Sequence, residues 1–392
     1  MKNISHDNAI RTLIFSIIFS SYSFLSIIAM WSEYKYEAPI IYNFYKIYQY
    51  ILIFILPIIY ILSKPKIKEM VIYLALIVLG IYSLIKLHDY RFIMFILFLF
   101  AAINTNFLLI IKANFTADCF AFFLVLLSYF VGILPNTIYI RVGGERIRQS
   151  LGFAHPNFLG MVVMLIVLQY ILLRKARFNI IDTIFSLVFV ILFNEVCDSR
   201  ASEFASIFVI VSVFIFNSFN SLKGKLKVKK LLINIIKLCP FLLATLSSVI
   251  VLYAVPGTTF YNNANKLLSS RLDIFQFYYK IVGLHLFPKP IYSLFMNSTF
   301  VGMDNAYIYL LVSFGVIALI VYCSIIYKLI SFCFLHKEYY LLFVTLALCI
   351  FGLVESTVIY PFVGVCFIAV DRHTKYVGKK GEYNKCLRCQ YG

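Results

Sequence analysis

Long apolar segments recur from about residue 10 to about residue 370, and they constrain the fold more than any other feature. Hydrophobic residues make up 62% of the chain and charged residues only 13%, which is more apolar side chain than a soluble domain could hide. A helix needs about 20 apolar residues to cross a bilayer, and within lipid it satisfies all its own backbone polar groups. The sequence therefore predicts an all-α, polytopic membrane helix bundle with about twelve transmembrane helices.

The apolar segments are spread evenly, which predicts one multispanning membrane domain over residues 1–370 followed by a basic tail, 371–392. Two long loops interrupt the spans, at 136–155 and 257–304. Ordered loops of such length are commonly functional. The second loop carries apolar residues at helical spacing, which predicts interfacial helices within it. These residues are Leu267, Leu268, Leu272, Phe275 and Tyr279.

The formal net charge of +18 follows a pattern typical of membrane proteins. Lys and Arg are enriched in cytoplasmic loops, and the densest lysine cluster, Lys223 to Lys230, fixes the orientation. Placing that cluster inside predicts that both termini are cytoplasmic. The charge is thereby explained without a nucleic-acid partner.

The arginines are distributed differently from the lysines. Six of the eleven fall in segments that this orientation places outside, against the positive-inside trend. Guanidinium offers a fixed fork of donors that matches phosphate and carboxylate, whereas lysine is a point charge. The asymmetry predicts an anionic ligand at the external face. The six are Arg91, Arg141, Arg146, Arg148, Arg200 and Arg271.

The first candidate site is the segment from Arg141 to Asn157, at the end of the first long loop. Pro156 suits the first turn of a helix, so His155 and Asn157 bracket a helix N-terminus, whose free N–H groups and dipole favour an anion. A solvated loop that touches lipid headgroups, with His155 as a cap, is the structural alternative. The clustering of three arginines beside a helix start favours a site for an anion over this alternative. The arginines just upstream are Arg141, Arg146 and Arg148.

A short turn carries Asp198 and Arg200, where ionisable groups near the membrane normally pair or line a cavity. Arg200 either pairs locally with a neighbouring carboxylate or faces the same site as the first loop.

The second long loop brings further candidates. Asp304 and Asn305 precede a span, where simple helix capping is the alternative to ligand binding. Arg271 and Asp273 belong to a helix otherwise suited to the interface. Glu355, between the last two spans, either pairs with a basic partner or orients a helix.

Several enzyme classes lack their signatures here. No HExxH, Walker-type or GxSxG motif occurs, and no DxD pair, so the sequence predicts neither a metal ion nor a cofactor. The spans are predicted to be nearly free of charge at mid-depth apart from Lys237, which disfavours a transporter with a charged central cavity.

Three motifs in order resemble the Wzy-type polysaccharide polymerases and O-antigen ligases. The first is a basic loop ending in Gly152-Phe153-Ala154-His155-Pro156-Asn157. The second is Ser270-Arg271-Leu272-Asp273 in the large loop. The third is Asp304-Asn305-Ala306-Tyr307 before a span that contains Gly315, and Glu355 stands where that family has a late glutamate.

The resemblance implies a bacterial cytoplasmic-membrane glycosyltransferase that acts outside on undecaprenyl diphosphate-linked glycans and needs no metal. By that analogy Arg146, Arg148 and Arg271 hold the diphosphate, and His155 orients the acceptor hydroxyl or takes its proton. Arg141, Asn157, Arg200, Asp273, Asp304 and Asn305 are the remaining candidates for substrate binding.

The expected activity is polymerisation of repeat units into capsule, O-antigen or exopolysaccharide. The alternatives are a glycan ligase of the same superfamily and a lipid-linked oligosaccharide flippase. Expected partners are the lipid-linked glycan as donor and acceptor, membrane lipid, and a flippase and a chain-length regulator.

Overall fold

The computed structural model describes residues 6–140, 147–221, 230–268, 271–290 and 303–372. In chain order its helices are α1 (His6–Met30), α2 (Tyr34–Glu37), α3 (Pro39–Ile61), α4 (Ile67–Leu87), α5 (Arg91–Ala101), α6 (Phe107–Phe130), α7 (Pro156–Arg174), α8 (Ile180–Cys197), α9 (Arg200–Ser221), α10 (Lys230–Tyr253), α11 (Thr259–Leu267), α12 (Arg271–Val282), α13 (Ala306–Tyr309), α14 (Val316–His336) and α15 (Tyr339–Phe351). Three 3₁₀ helices (Lys175–Arg177, Ser356–Ile359 and Val365–Arg372) and a π-helix (Leu310–Phe314) complete the helical elements. One antiparallel hairpin, β1 (Ile138–Ile140) with β2 (Ile147–Gln149), is the only sheet within these ranges.

Nine helices of the described chain are long and apolar enough to cross a membrane, which confirms the predicted multi-pass helical bundle in outline. They are α1, α3, α4, α6 to α10 and α14. The apolar helices α5 and α15 have 11 and 13 residues and are shorter than a usual spanning helix. The last apolar segment forms 3₁₀ turns. The finer count of about twelve spans is not confirmed.

Helix caps explain where the boundaries differ from the apolar pattern. The apolar pattern predicts a span over residues 91–111, but the side chain of Asn106 accepts hydrogen bonds from the N–H groups of Leu108 and Leu109, so α6 begins at Phe107. Gly315 (φ 88°) separates the π-helix from α14. A Cβ atom there would lie 2.5 Å from the carbonyl oxygen of Leu286, so only glycine fits.

Of the nine long helices α7 is the most completely enclosed, with 78% of its most apolar 18 residues buried against 22% for α4 and α10. The lipid-facing positions of a bundle lie on its outer helices, so α7 is the central helix. We call the end of the bundle where α7 begins the hairpin end, because β1 and β2 lie there.

The large loop contributes two helices to this end. The side-chain amide of Gln276 in α12 donates to the carbonyl oxygens of Val251 (3.1 Å) and Ala254 (2.6 Å) near the end of α10. Leu272 and Phe275 are buried. The helical spacing of Leu272 and Phe275 therefore corresponds to the apolar side of α12, which packs on the protein.

Candidate functional site

The β-hairpin is attached to the end of α1, and this fixes its position over α7. The N–H of Glu33 donates to the carbonyl oxygen of Gly152 at 2.9 Å. The Trp31 ring stacks on Phe158 in the first turn of α7, with 5.2 Å between centroids. These contacts hold β2 beside the N-terminus of the central helix.

Arg148 lies in β2 and its side chain is held on two sides. Its Nε donates to the carbonyl oxygen of Cys197 at 2.9 Å, and its Nη2 donates to Oδ1 of Asn157 at 2.5 Å. Cys197 ends α8, where helix carbonyls lack partners within the helix. Since the residue is only 8% exposed, the guanidinium is fixed between the end of α8 and the start of α7.

His155 caps α7. Its Nδ1 accepts the N–H of Asn157 at 3.1 Å, and its ring lies 4.6 Å from that of Tyr139, centroid to centroid. Burial lowers the pKa of His155 to about 4, and the positive charges of Arg148 and Arg271 add to the effect. The imidazole is therefore neutral at pH 7.

Arg271 is the first residue of α12 and makes three contacts. Its Nε lies 2.9 Å from Oδ2 of Asp304 and its Nη1 donates to the carbonyl oxygen of Val354 at 2.5 Å. Its Nη2 lies 3.4 Å from Oε1 of Glu355. The side chain of Asp304 is 45% exposed, so this pair faces outward while Glu355 lies inward.

Glu355 joins the two arginine positions. Its Oε1 also accepts from Nδ2 of Asn157 at 3.1 Å, across 198 residues of sequence. Burial raises the pKa of Glu355 above its ordinary value, as does the nearby Asp304 carboxylate, while Arg271 opposes both. We call these five residues the arginine–carboxylate network: Arg148, Asn157, Arg271, Asp304 and Glu355.

The network can bind an anion. Two guanidinium groups lie beside the positive end of the α7 dipole and supply the donors. The N–H groups of Asn157 and Phe158 are already bonded to His155, and the carboxylates of Asp304 and Glu355 pair with Arg271. Asp304, half exposed and on the outer side of Arg271, is a carboxylate that an incoming phosphate can replace.

Three candidates from the sequence lie apart from the network. The Arg200 side chain is 68% exposed and its Nε lies 3.5 Å from Oδ1 of Asp198. Of the two interpretations of Arg200, this contact is the local ion pair. Asp273 accepts hydrogen bonds from Tyr261 and Asn265 of α11. Asn305 caps α13 and donates to the carbonyl oxygen of Leu353 at 2.8 Å.

Arg141, Arg146 and Ser270 lie outside the described residues. Their expected roles stay predictions. Of the expected diphosphate-binding arginines, Arg148 and Arg271 can therefore be described.

An ion pair between Asp89 and Arg91 borders the network. The sequence predicts an external role for Arg91 but not this pairing. Nε of Arg91 donates to Oδ2 of Asp89 at 2.9 Å, and both residues bond to the Tyr309 hydroxyl. The guanidinium lies 4.1 Å from the Tyr309 ring centroid and its Nη1 donates to Oγ of Ser356 at 3.4 Å. The pair thus supports the turn that carries Glu355. An acid two residues before an arginine at a helix start is the local signal.

The expectation of charge-free spans apart from Lys237 is wrong, because Asp118 lies in the middle of α6 and is fully buried. Its carboxylate accepts from Ser23 Oγ (2.5 Å), Asn114 Nδ2 (2.9 Å) and Gln169 Nε2 (2.6 Å). We call these four residues the Asp118 cluster. The apolar pattern predicts a span over residues 117–135, which places Asp118 near a helix end, whereas α6 begins ten residues earlier, at Phe107.

Comparisons of the chain with protein families, with curated proteins and with solved structures give no significant match. The resemblance carried by the three motifs therefore stays a prediction.

Proposed function

We propose that the protein is a membrane glycosyltransferase that polymerises undecaprenyl diphosphate-linked repeat units at the external face of the bacterial cytoplasmic membrane. The observation that carries the proposal is the meeting of Arg148 and Arg271 at the start of α7, through Asn157 and Glu355. These residues come from three distant segments: the first ends in the Gly152–Asn157 motif, the second holds the Ser270–Asp273 motif, and the third holds Glu355, the late glutamate of the resemblance.

The chemistry of the proposal is displacement of a lipid diphosphate. Negative charge develops on the diphosphate as the glycosidic bond breaks, and donors fixed in advance stabilise it most effectively. Arg148 is held by Cys197 and Asn157, so little reorganisation is needed when the anion binds. The proposal places the hairpin end outside and both termini inside, with lipid-linked glycan as donor and acceptor.

A ligase of the same superfamily would use the same donor site with a different acceptor. A flippase is the alternative from another class. The Asp118 cluster is the buried charge that such a transporter would use, but neutral donors enclose its carboxylate. We therefore place the function at the network.

Purified protein in vesicles, supplied with lipid diphosphate-linked repeat units, tests the proposal. A polymerase gives a ladder of lengthening glycans on a gel. A ligase leaves the repeat unit unextended and requires a separate acceptor. A flippase moves the lipid between leaflets and makes no new glycosidic bond, which would contradict the proposal.

A further inference from the structure

Glycosyl transfer to a sugar hydroxyl requires a group that takes the hydroxyl proton, and two residues at the network are candidates. His155 and Glu355 both touch Asn157, one through the backbone N–H and the other through the side-chain amide. Assigning the proton acceptor to one of the two rests on the proposed function. Geometry separates the two candidates.

The helix cap restricts what His155 can do. Its Nδ1 lone pair accepts the N–H of Asn157, so the proton of the neutral imidazole is on Nε2. Moving that proton to Nδ1 would set two N–H groups against each other and remove the cap. Adding a second proton would create a cation beside Arg148 and Arg271, which burial also disfavours. His155 therefore presents Nε2–H as a donor and has no free basic nitrogen.

Glu355, unlike His155, is placed to accept a proton. Within the described chain both of its side-chain contacts, from Asn157 and Arg271, fall on Oε1. The lone pairs of Oε2 are not used by these contacts. Among the described residues, the charged groups that face the carboxyl are Arg271 of α12, Arg148 of β2 and Asp304 before α13. Burial makes this carboxylate a stronger base than an exposed one.

We propose that Glu355 is the general base of the transfer and that His155 is a hydrogen-bond donor to the substrate. The acceptor hydroxyl oxygen bonds to the anomeric carbon of the donor glycan, and its proton goes to Oε2 of Glu355. The bond from that carbon to the diphosphate oxygen breaks, and its electron pair leaves with the diphosphate. The Nε2–H of His155 orients an oxygen of the substrate throughout.

Two conservative variants test the assignment in the vesicle assay. Glu355→Gln keeps an acceptor for Asn157 and Arg271 but cannot take a proton, so elongation should fall at least about 100-fold. His155→Asn keeps an N-cap acceptor and an N–H donor without a titratable ring, so elongation should stay within about tenfold. A larger loss in His155→Asn than in Glu355→Gln would overturn the assignment.

Azide as acceptor separates a base from a residue that only positions others. Azide is already an anion and has no proton to lose, so Glu355→Gln should form glycosyl azide at a rate close to that of the unaltered protein. Failure with azide, in a variant whose thermal unfolding is unchanged, would show that Glu355 positions Arg271 and is not the base.

The pH profile is the remaining readout. Activity of the unaltered protein should rise with pH as Glu355 loses its proton, and this rise should be absent from Glu355→Gln. A profile that is the same in both proteins would overturn the assignment. If the unaltered protein forms no polymer from lipid-linked units at any pH, the proposed function itself fails, which is a distinct result.

Discussion

The arginine–carboxylate network and the Asp118 cluster are both polar groups in an apolar bundle, yet they differ in charge, in exposure and in position. The network contains two cations and two carboxylates, borders a helix N-terminus and includes a half-exposed side chain at Asp304. The Asp118 cluster has one carboxylate, neutral donors and fully buried side chains at Ser23, Asn114 and Gln169. The first can exchange its internal partners for a ligand. In the second, the Asp118 carboxylate already has three donors, and these contacts join α1, α6 and α7.

The comparison therefore assigns chemistry to the network and stability to the Asp118 cluster. Substitutions in the two places should affect different measurements. Activity per folded molecule should respond at the network, and unfolding temperature should respond at the Asp118 cluster.

The largest expected effect is loss of polymerisation in Arg148→Lys and in Arg271→Lys. Lysine keeps the charge but cannot make the two-sided contacts of the guanidinium, so each variant should lose about 100-fold or more of its activity. Elongation in vesicles, normalised to inserted protein, measures this. Arg200→Lys is the matched control, because that side chain is exposed and pairs with the neighbouring Asp198, and it should keep nearly full activity. Full activity in both network variants would remove the diphosphate-binding role.

Next in size is the destabilisation caused by Asp118→Leu. The change leaves buried donors of Asn114 and Gln169 without their carboxylate, which should cost about 2 to 4 kcal/mol of unfolding free energy. Thermal unfolding in detergent measures it, and activity per folded molecule should not change. Asp118→Asn retains an acceptor and should cost less. A variant that unfolds normally but loses all function would give the Asp118 cluster a direct role and favour transport.

A smaller effect is expected where α7 meets the turn before α9. A Cβ atom on Gly160 would lie 2.4 Å from the Cβ of Ser199, so Gly160→Ala should displace the start of α7 and lower the stability by about 1 to 3 kcal/mol. The same displacement should reduce activity, because Asn157 lies one turn earlier on that helix. Combining it with Ser199→Gly removes the clash and should restore both properties. No restoration would mean that the contact does not position the network.

The effect confined to the narrowest range of conditions is the pH dependence of stability at His155. Its pKa is about 4 in the folded protein against 6.5 for the free side chain, so the unfolded chain binds the extra proton between these values. The contribution of His155 to stability is therefore full above about pH 6.5 and is lost as the pH falls toward 4. Unfolding temperatures of the unaltered protein and His155→Asn over this range should converge at low pH. Parallel curves would show that the folded protein does not depress this pKa.

Local features of the site could be predicted from the sequence. The Pro156 helix start, with His155 and Asn157 around it, is a pattern that spans three residues, and the structure shows that helix and its cap. Arg271 and Asp304 were recognisable as candidates by residue type and position. Their ion pair was not predictable, because it depends on how α12 packs on α10.

The sequence by itself determined a multi-pass helical membrane protein, because the free energy of burying apolar residues in lipid is summed along each segment and needs no tertiary contact. It also indicated that arginine marks one set of loops. Tertiary structure alone decided that Asn157 meets Glu355, that Arg91 supports the neighbouring turn, and that Asp118 is sealed within the bundle. Those contacts join residues far apart in the chain, and their geometry is fixed by how the helices pack, which the order of residues in any single segment does not contain.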